Sequence, residues 1–158
     1  MRYGEKRILV VIGISFVSVR VVNYVRNMAQ KPDPGIPFYS TSTEQFSGQA
    51  TKLINREDCR DCHSLWTLKN ILQSVTAPML DGMGALHDEE WFYRYFSSPT
   101  PQSIIPSRLK SQYRMPYYSQ LAEQERRMLA QYMASLKVKD WYLDTLKKAE
   151  HQVLTGEE

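Results

Sequence analysis

The chain has 158 residues, a formal net charge of +3, seven glycines, eight prolines and two cysteines. That length holds one modest domain plus an appendage, and so mild a charge does not make nucleic acid a partner. Apolar residues at 42% and charged residues at 23% exclude a disordered tail and a multi-span membrane protein, and two cysteines exclude a disulfide scaffold.

Arg2, Lys6 and Arg7 precede an apolar run from Ile8 to Val19, and Val21–Val25 follows Arg20. As a helix, the 18 residues Ile8–Val25 reach about 27 Å, close to the thickness of a hydrocarbon core. Arg20 lies near one end, where a long side chain snorkels to the interface. A cleaved secretory signal is the rival, because the uncharged run also has the length of a signal core. The following Arg26-Asn27-Met28-Ala29-Gln30 offers no small-x-small cleavage site, so residues 1–27 are expected to be an uncleaved transmembrane anchor. Both readings place the rest of the chain outside the cytoplasm. Three basic residues flank each side, so charge bias does not orient the span.

Residues 28–43 carry Pro32, Pro34 and Pro37 among turn formers. They read as a stiff linker that lifts the domain off the bilayer, or as an arm packed along it. Thr43 then suits an N-cap, with Phe46, Ala50, Leu53 and Ile54 at helical spacing up to Arg56.

Cys59-Arg60-Asp61-Cys62-His63 follows at once. This C-x-x-C-H spacing puts both sulfurs on one face of a short turn, where they can add to the two vinyl groups of a haem while His63 becomes an axial ligand. A thioredoxin-type pair would want a surrounding βαβ pattern, which is missing. A zinc site needs four ligands, and His87 and His151 lack paired spacing. One covalently bound haem c is the expected cofactor.

An irregular stretch runs to Met83. Asp88–Phe96 reads as a short helix with acidic residues at its start, stopped by Ser97-Ser98-Pro99. Trp91, Phe92, Tyr95 and Phe96 give it an aromatic face suited to core packing, which in a haem protein is largely the haem pocket. After a loop from Thr100 to Arg114, Leu121–Leu136 is the clearest helix, with Leu121, Met128, Leu129, Tyr132, Met133 and Leu136 in one stripe. No strand-like alternation appears, so the fold class is mostly α. The domain is expected over residues 44–137, with a helical tail over 138–158 that lies against a neighbouring subunit or folds back on its own domain.

From about Gly48 to Leu136 the sequence resembles the class I monohaem c-type cytochromes: helix, C-x-x-C-H, proline-containing loop, middle helix with an aromatic, Met-Pro, closing helix. The strongest match after the haem motif is Arg114-Met115-Pro116-Tyr117-Tyr118-Ser119-Gln120-Leu121. The resemblance implies that Met115 is the sixth iron ligand and that the Pro78 carbonyl accepts a hydrogen bond from the ligating His63. It also sets Trp91 among the cofactor-binding residues, and puts the haem domain on the periplasmic or outer face of the membrane. More narrowly, the single anchor, the size, Trp91-Phe92 and the Trp141 tail are similar to the cytochrome c subunit of nitric oxide reductase, and to the membrane-bound cytochrome c subunits of C-type haem–copper oxidases. The long stretch between His63 and Pro78 departs from both.

The residues bear on the sixth ligand independently. Met1 and Met28 belong to the anchor region, and Met128 and Met133 to the apolar stripe of the last helix. Met79 and Met83 follow His63 too closely to reach the opposite haem face. Met115 sits in a loop beside a proline, after enough chain to wrap the ring; His87 or an open position are the alternatives. Met/His ligation fills both axial positions and favours electron transfer over activation of a diatomic. The expected function is one-electron transfer without catalytic residues, with integral membrane subunits of a redox complex and a soluble redox protein as partners. A catalytic or gas-binding haem with a displaceable sixth ligand is the alternative. Arg108, Lys110 and Arg114 read as a basic collar that steers an acidic partner, or as an ordinary solvated loop.

Overall fold

The computed structural model describes residues 3–29, 34–68 and 77–156, with the side chains at positions 3, 5–10 and 27–29 outside the described set. The chain divides into two units, Met1–Gly35 and Ile36–Glu158.

The first unit is one helix, α1 (Tyr3–Ala29). Its Val11, Ile14, Phe16, Val17, Val21 and Val25 are all more than half exposed. Ser15 and Ser18 donate their hydroxyls to the Val11 and Ile14 carbonyls at 2.9 and 2.8 Å, which satisfies both groups inside the helix. The span expected at Ile8–Val25 is not recovered: among the described residues no helix is long and apolar enough to cross a membrane. The side chains that open this run, Ile8, Leu9 and Val10, lie outside the described residues.

The second unit is mostly helical. It runs β1 (Phe38–Ser40), α2 (Glu44–Arg56), α3 (Glu89–Ser97), α4 (Glu123–Ser135), β2 (Leu136–Val138) and α5 (Asp140–Thr155), with 3-10 turns at Cys59–Asp61, Met83–Ala85, Pro101–Ser103 and Ser111–Tyr113. Local chemistry sets the helix starts. The Thr43 hydroxyl accepts from the Phe46 N–H, and the Asp88 carboxylate accepts from the Trp91 N–H at 2.7 Å. At α4 the Glu125 carboxylate reaches back to the Ala122 N–H and also pairs with Arg56 at the end of α2, at 2.7 Å. The core forms where Ala50, Leu53 and Ile54 of α2 and Phe92 and Phe96 of α3 meet Leu129, Ala130, Tyr132 and Met133 of α4.

The two strands pair antiparallel, Phe38 opposite Val138 and Ser40 opposite Leu136. Sequence reading finds neither, because three residues are too few to show alternation. They make residues 36–43 an arm packed along the domain, not a spacer: Lys139 N–H donates to the Pro37 carbonyl and Thr41 N–H to the Ser135 carbonyl. Residues 30–33 of the expected linker lie outside the described residues.

The tail folds back on its own unit. Leu146 is 3% exposed and lies beside Gly82 and Val138. Tyr142 meets Phe38 edge to face at 5.4 Å, and Glu150 pairs with His87 at 2.8 Å. A Cβ on Gly84 would fall onto the Ala134 carbonyl and 2.6 Å from the Met133 oxygen, so the Met83–Ala85 turn touches the end of α4 backbone to backbone. Gly84→Ala is therefore expected to destabilise the protein by about 1–3 kcal/mol. Urea unfolding followed by circular dichroism reads this, and an unchanged midpoint would show that the contact relaxes freely.

Candidate functional site

The C-x-x-C-H segment is built directly on the end of α2. Asp58 takes a left-handed conformation (φ 52°) that redirects the chain into the Cys59–Asp61 turn. His63 N–H then donates to the Cys59 carbonyl at 3.0 Å. One tight turn thus carries both cysteines and the histidine, and both cysteines are half-buried. Burial pushes the Cys59 thiol up to about 11, against a smaller opposing effect of the Tyr118 hydroxyl, 3.9 Å from Sγ. Cys59 is therefore a thiol at neutral pH.

His63 Nδ1 lies 2.6 Å from the Pro78 carbonyl. A carbonyl only accepts, so Nδ1 carries the proton, and in the neutral ring Nε2 holds a bare lone pair. Burial lowers the imidazole pKa from its ordinary value and the Pro78 contact opposes this. A neutral histidine with its tautomer fixed by a carbonyl is the form that binds a metal through Nε2.

The Met115 side is built by α3 and the loop after it. Tyr95 donates its hydroxyl to Met115 Sδ at 3.1 Å, and burial raises the Tyr95 pKa, keeping it a donor. The Gln102 side-chain amide donates to the Met115 carbonyl at 2.8 Å and ties the loop down. Trp91 and Tyr95, four residues apart on α3, stack in parallel with centroids 5.4 Å apart. His87 stacks on Trp91 at 3.8 Å, so the alternative sixth ligand has its ring against Trp91 and its Nε2 on Glu150. Cys59, Leu80, Met83, Trp91, Tyr95 and Met115 are all half-buried against one apolar core.

Of the residues singled out from sequence, His63 and Pro78 are hydrogen-bonded, and Cys59, Trp91 and Met115 line the edge of the same core; Cys62 completes the turn. The donors present are two cysteine sulfurs, one imidazole nitrogen and one thioether. Among the described residues no group of three or more His, Cys, Asp or Glu converges to hold a metal ion. A haem asks for no such group, since the porphyrin supplies four nitrogens and the protein only the axial pair. This donor set, with its apolar edge, fits a covalent haem.

Sequence reading missed Gln102 and the donor role of Tyr95. The Trp91–Tyr95 spacing of one helical turn was a usable signal for Tyr95, whereas nothing local marks Gln102. The expected collar residues Arg108, Lys110 and Arg114 are all exposed; the Arg108 guanidinium lies against Gly156 at the end of α5, and Arg114 Nε donates to the Leu109 carbonyl at 2.8 Å. Comparison with protein-family models, curated proteins and solved structures finds no match.

In the haem-free chain, iodoacetamide labels Cys59 only through its thiolate. Because this pKa lies near 11, labelling is expected to accelerate about tenfold per pH unit from neutrality up to that value. Peptide mass spectrometry measures the rate; a plateau near the ordinary thiol pKa of about 8.5 would contradict the burial argument.

Proposed function

We propose that the chain is a membrane-anchored class I c-type cytochrome that passes single electrons within a redox complex. The observation that carries the reading is the 2.6 Å contact between His63 Nδ1 and the Pro78 carbonyl, inside a C-x-x-C-H turn, which leaves Nε2 for iron. Cys59 and Cys62 would hold the haem through thioethers, and His63 Nε2 and Met115 Sδ would be its axial ligands. When bound, the haem supplies a one-electron Fe(II)/Fe(III) couple.

The chain's own residues do the rest. The Pro78 carbonyl orients the imidazole and raises its basicity as a ligand. The Tyr95 hydroxyl holds the Met115 thioether in place and draws density from sulfur, while the aromatic face of α3 excludes water. With His63 and Met115 both bound to it, the iron would have no position left for a diatomic, which favours electron transfer over its activation. That supports a carrier and not an enzyme.

The anchor belongs to the same proposal. It rests on the apolar residues that α1 carries between Val11 and Val25, interrupted by Arg20 and Asn23, and on serine hydroxyls satisfied within the helix. Such a helix in the cytoplasmic membrane keeps the haem domain at the outer face, beside integral subunits like those of a nitric oxide reductase or a C-type oxidase. Alkaline carbonate should leave the full chain in the membrane pellet; release into the supernatant would remove the anchor from the reading.

The haem is expected to stay with the denatured protein through acid–acetone extraction, and its complete release would end the cytochrome assignment. Met115→Ala is expected to abolish the sulfur-to-iron charge-transfer band and lower the reduction potential. A band that survives the substitution would make another residue the sixth ligand.

A further inference from the structure

Asp81 is a carboxylate only 1% exposed, two residues beyond Met79 and three beyond Pro78. Burying it is costly unless its oxygens are hydrogen-bonded. Oδ1 accepts from the Trp66 N–H at 2.6 Å and Oδ2 from the Thr67 N–H at 3.0 Å. These are the central residues of a turn closed by reciprocal bonds between Leu65 and Leu68, at 3.2 and 3.1 Å.

Both central residues have positive φ, 55° and 60°. Turns of this kind ordinarily use Asn or Gly, and a tryptophan followed by a β-branched threonine is a poor choice for them. The turn persists because one buried carboxylate takes both of its N–H groups in charge-assisted bonds.

The same two segments carry two further links. Leu80 N–H donates to the Ser64 carbonyl at 2.9 Å, and His63 Nδ1–H donates to the Pro78 carbonyl at 2.6 Å. Residues 63–67 and 78–81 are thus joined by successive rungs at His63, Ser64 and the Trp66–Thr67 pair. The rung at His63 is a single hydrogen bond from the ring to the Pro78 carbonyl, so its direction follows wherever that segment is held. The rung at Asp81 is double, ionic and buried, and it fixes the register of the other two.

We infer that Asp81 is a positioning residue for His63: by locking the 65–68 turn to the Pro78 segment, it sets the orientation of the imidazole that ligates iron. The inference rests on the proposed haem ligation and goes beyond it by assigning the plane of the ligand to a carboxylate that does not touch the ring in any described contact.

The test compares the full haem-loaded chain with Asp81→Asn and with Asp81→Asn combined with Thr67→Gly. An asparagine accepts one N–H and turns its own NH2 toward the other. The added glycine tolerates positive φ, so the turn survives even where the single variant does not fold. Two readings are taken: amide exchange at positions 66 and 67, and the order of the paramagnetically shifted haem methyl resonances, which reports the imidazole plane.

Exchange at least tenfold faster, with a reordered methyl pattern and helical circular dichroism retained, is the expected result. Faster exchange with an unchanged pattern would overturn the inference, leaving Asp81 a support for the turn alone. A shifted reduction potential with an unchanged pattern would also overturn it, because charge without geometry would then explain the effect. Wild-type chain that keeps no haem through acid–acetone extraction would fail the cytochrome reading itself and this inference with it.

Discussion

The face of α4 that carries Leu129, Ala130, Tyr132 and Met133 is shared by α2, by α3 and by the Met83–Ala85 turn. A short helix serves three neighbours only if each comes close, and the sequence meets that requirement with small groups at the crossings. Ala50 of α2 and Ala130 of α4 are wholly buried, and at Gly84 the approach leaves no room even for a methyl group. The cost of any added volume there is steep because interiors pack at crystal-like density.

This arrangement decides where the chemistry falls. α2 delivers the Cys59 turn three residues beyond its last residue, Arg56, so the cysteines follow a helix already held by α4 and by the Arg56–Glu125 pair. α3, the most extensively packed partner of α4, holds Trp91 and Tyr95 one turn apart and sets the Tyr95 hydroxyl at the Met115 sulfur. The loop bearing Met115 has little regular structure of its own and depends on Tyr95 and Gln102. Rigid helices therefore fix the cysteines and the aromatic stack, while hydrogen bonds to loops fix the histidine and the methionine.

The helices were legible because their signals are local. Thr43 and Asp88 cap where the pattern begins, and buried positions in α2 recur at three- and four-residue spacing. The C-x-x-C-H turn was legible for the same reason. What escaped depends on pairing between distant residues. β1 and β2 exist only because Phe38 finds Val138. The Leu65–Leu68 turn was invisible because Trp66 and Thr67 are not turn residues, and the group that makes them one, Asp81, stands fourteen residues further on. The placement of α5 turned on Leu146 and Glu150 meeting Gly82 and His87, which no reading of the tail alone supplies.

The late position of α4 in the chain has a temporal consequence. Cys59 leaves the ribosome 79 residues ahead of Val138, where β2 ends. At about 5–20 residues per second that interval is roughly 4–16 s. Until α4 and β2 have both emerged, α2 lacks its main helical partner and β1 its paired strand. The thiols that the finished fold half-covers pass through a stage in which both are open, and any covalent addition to them has its easiest access then, before the last third of the chain closes the core.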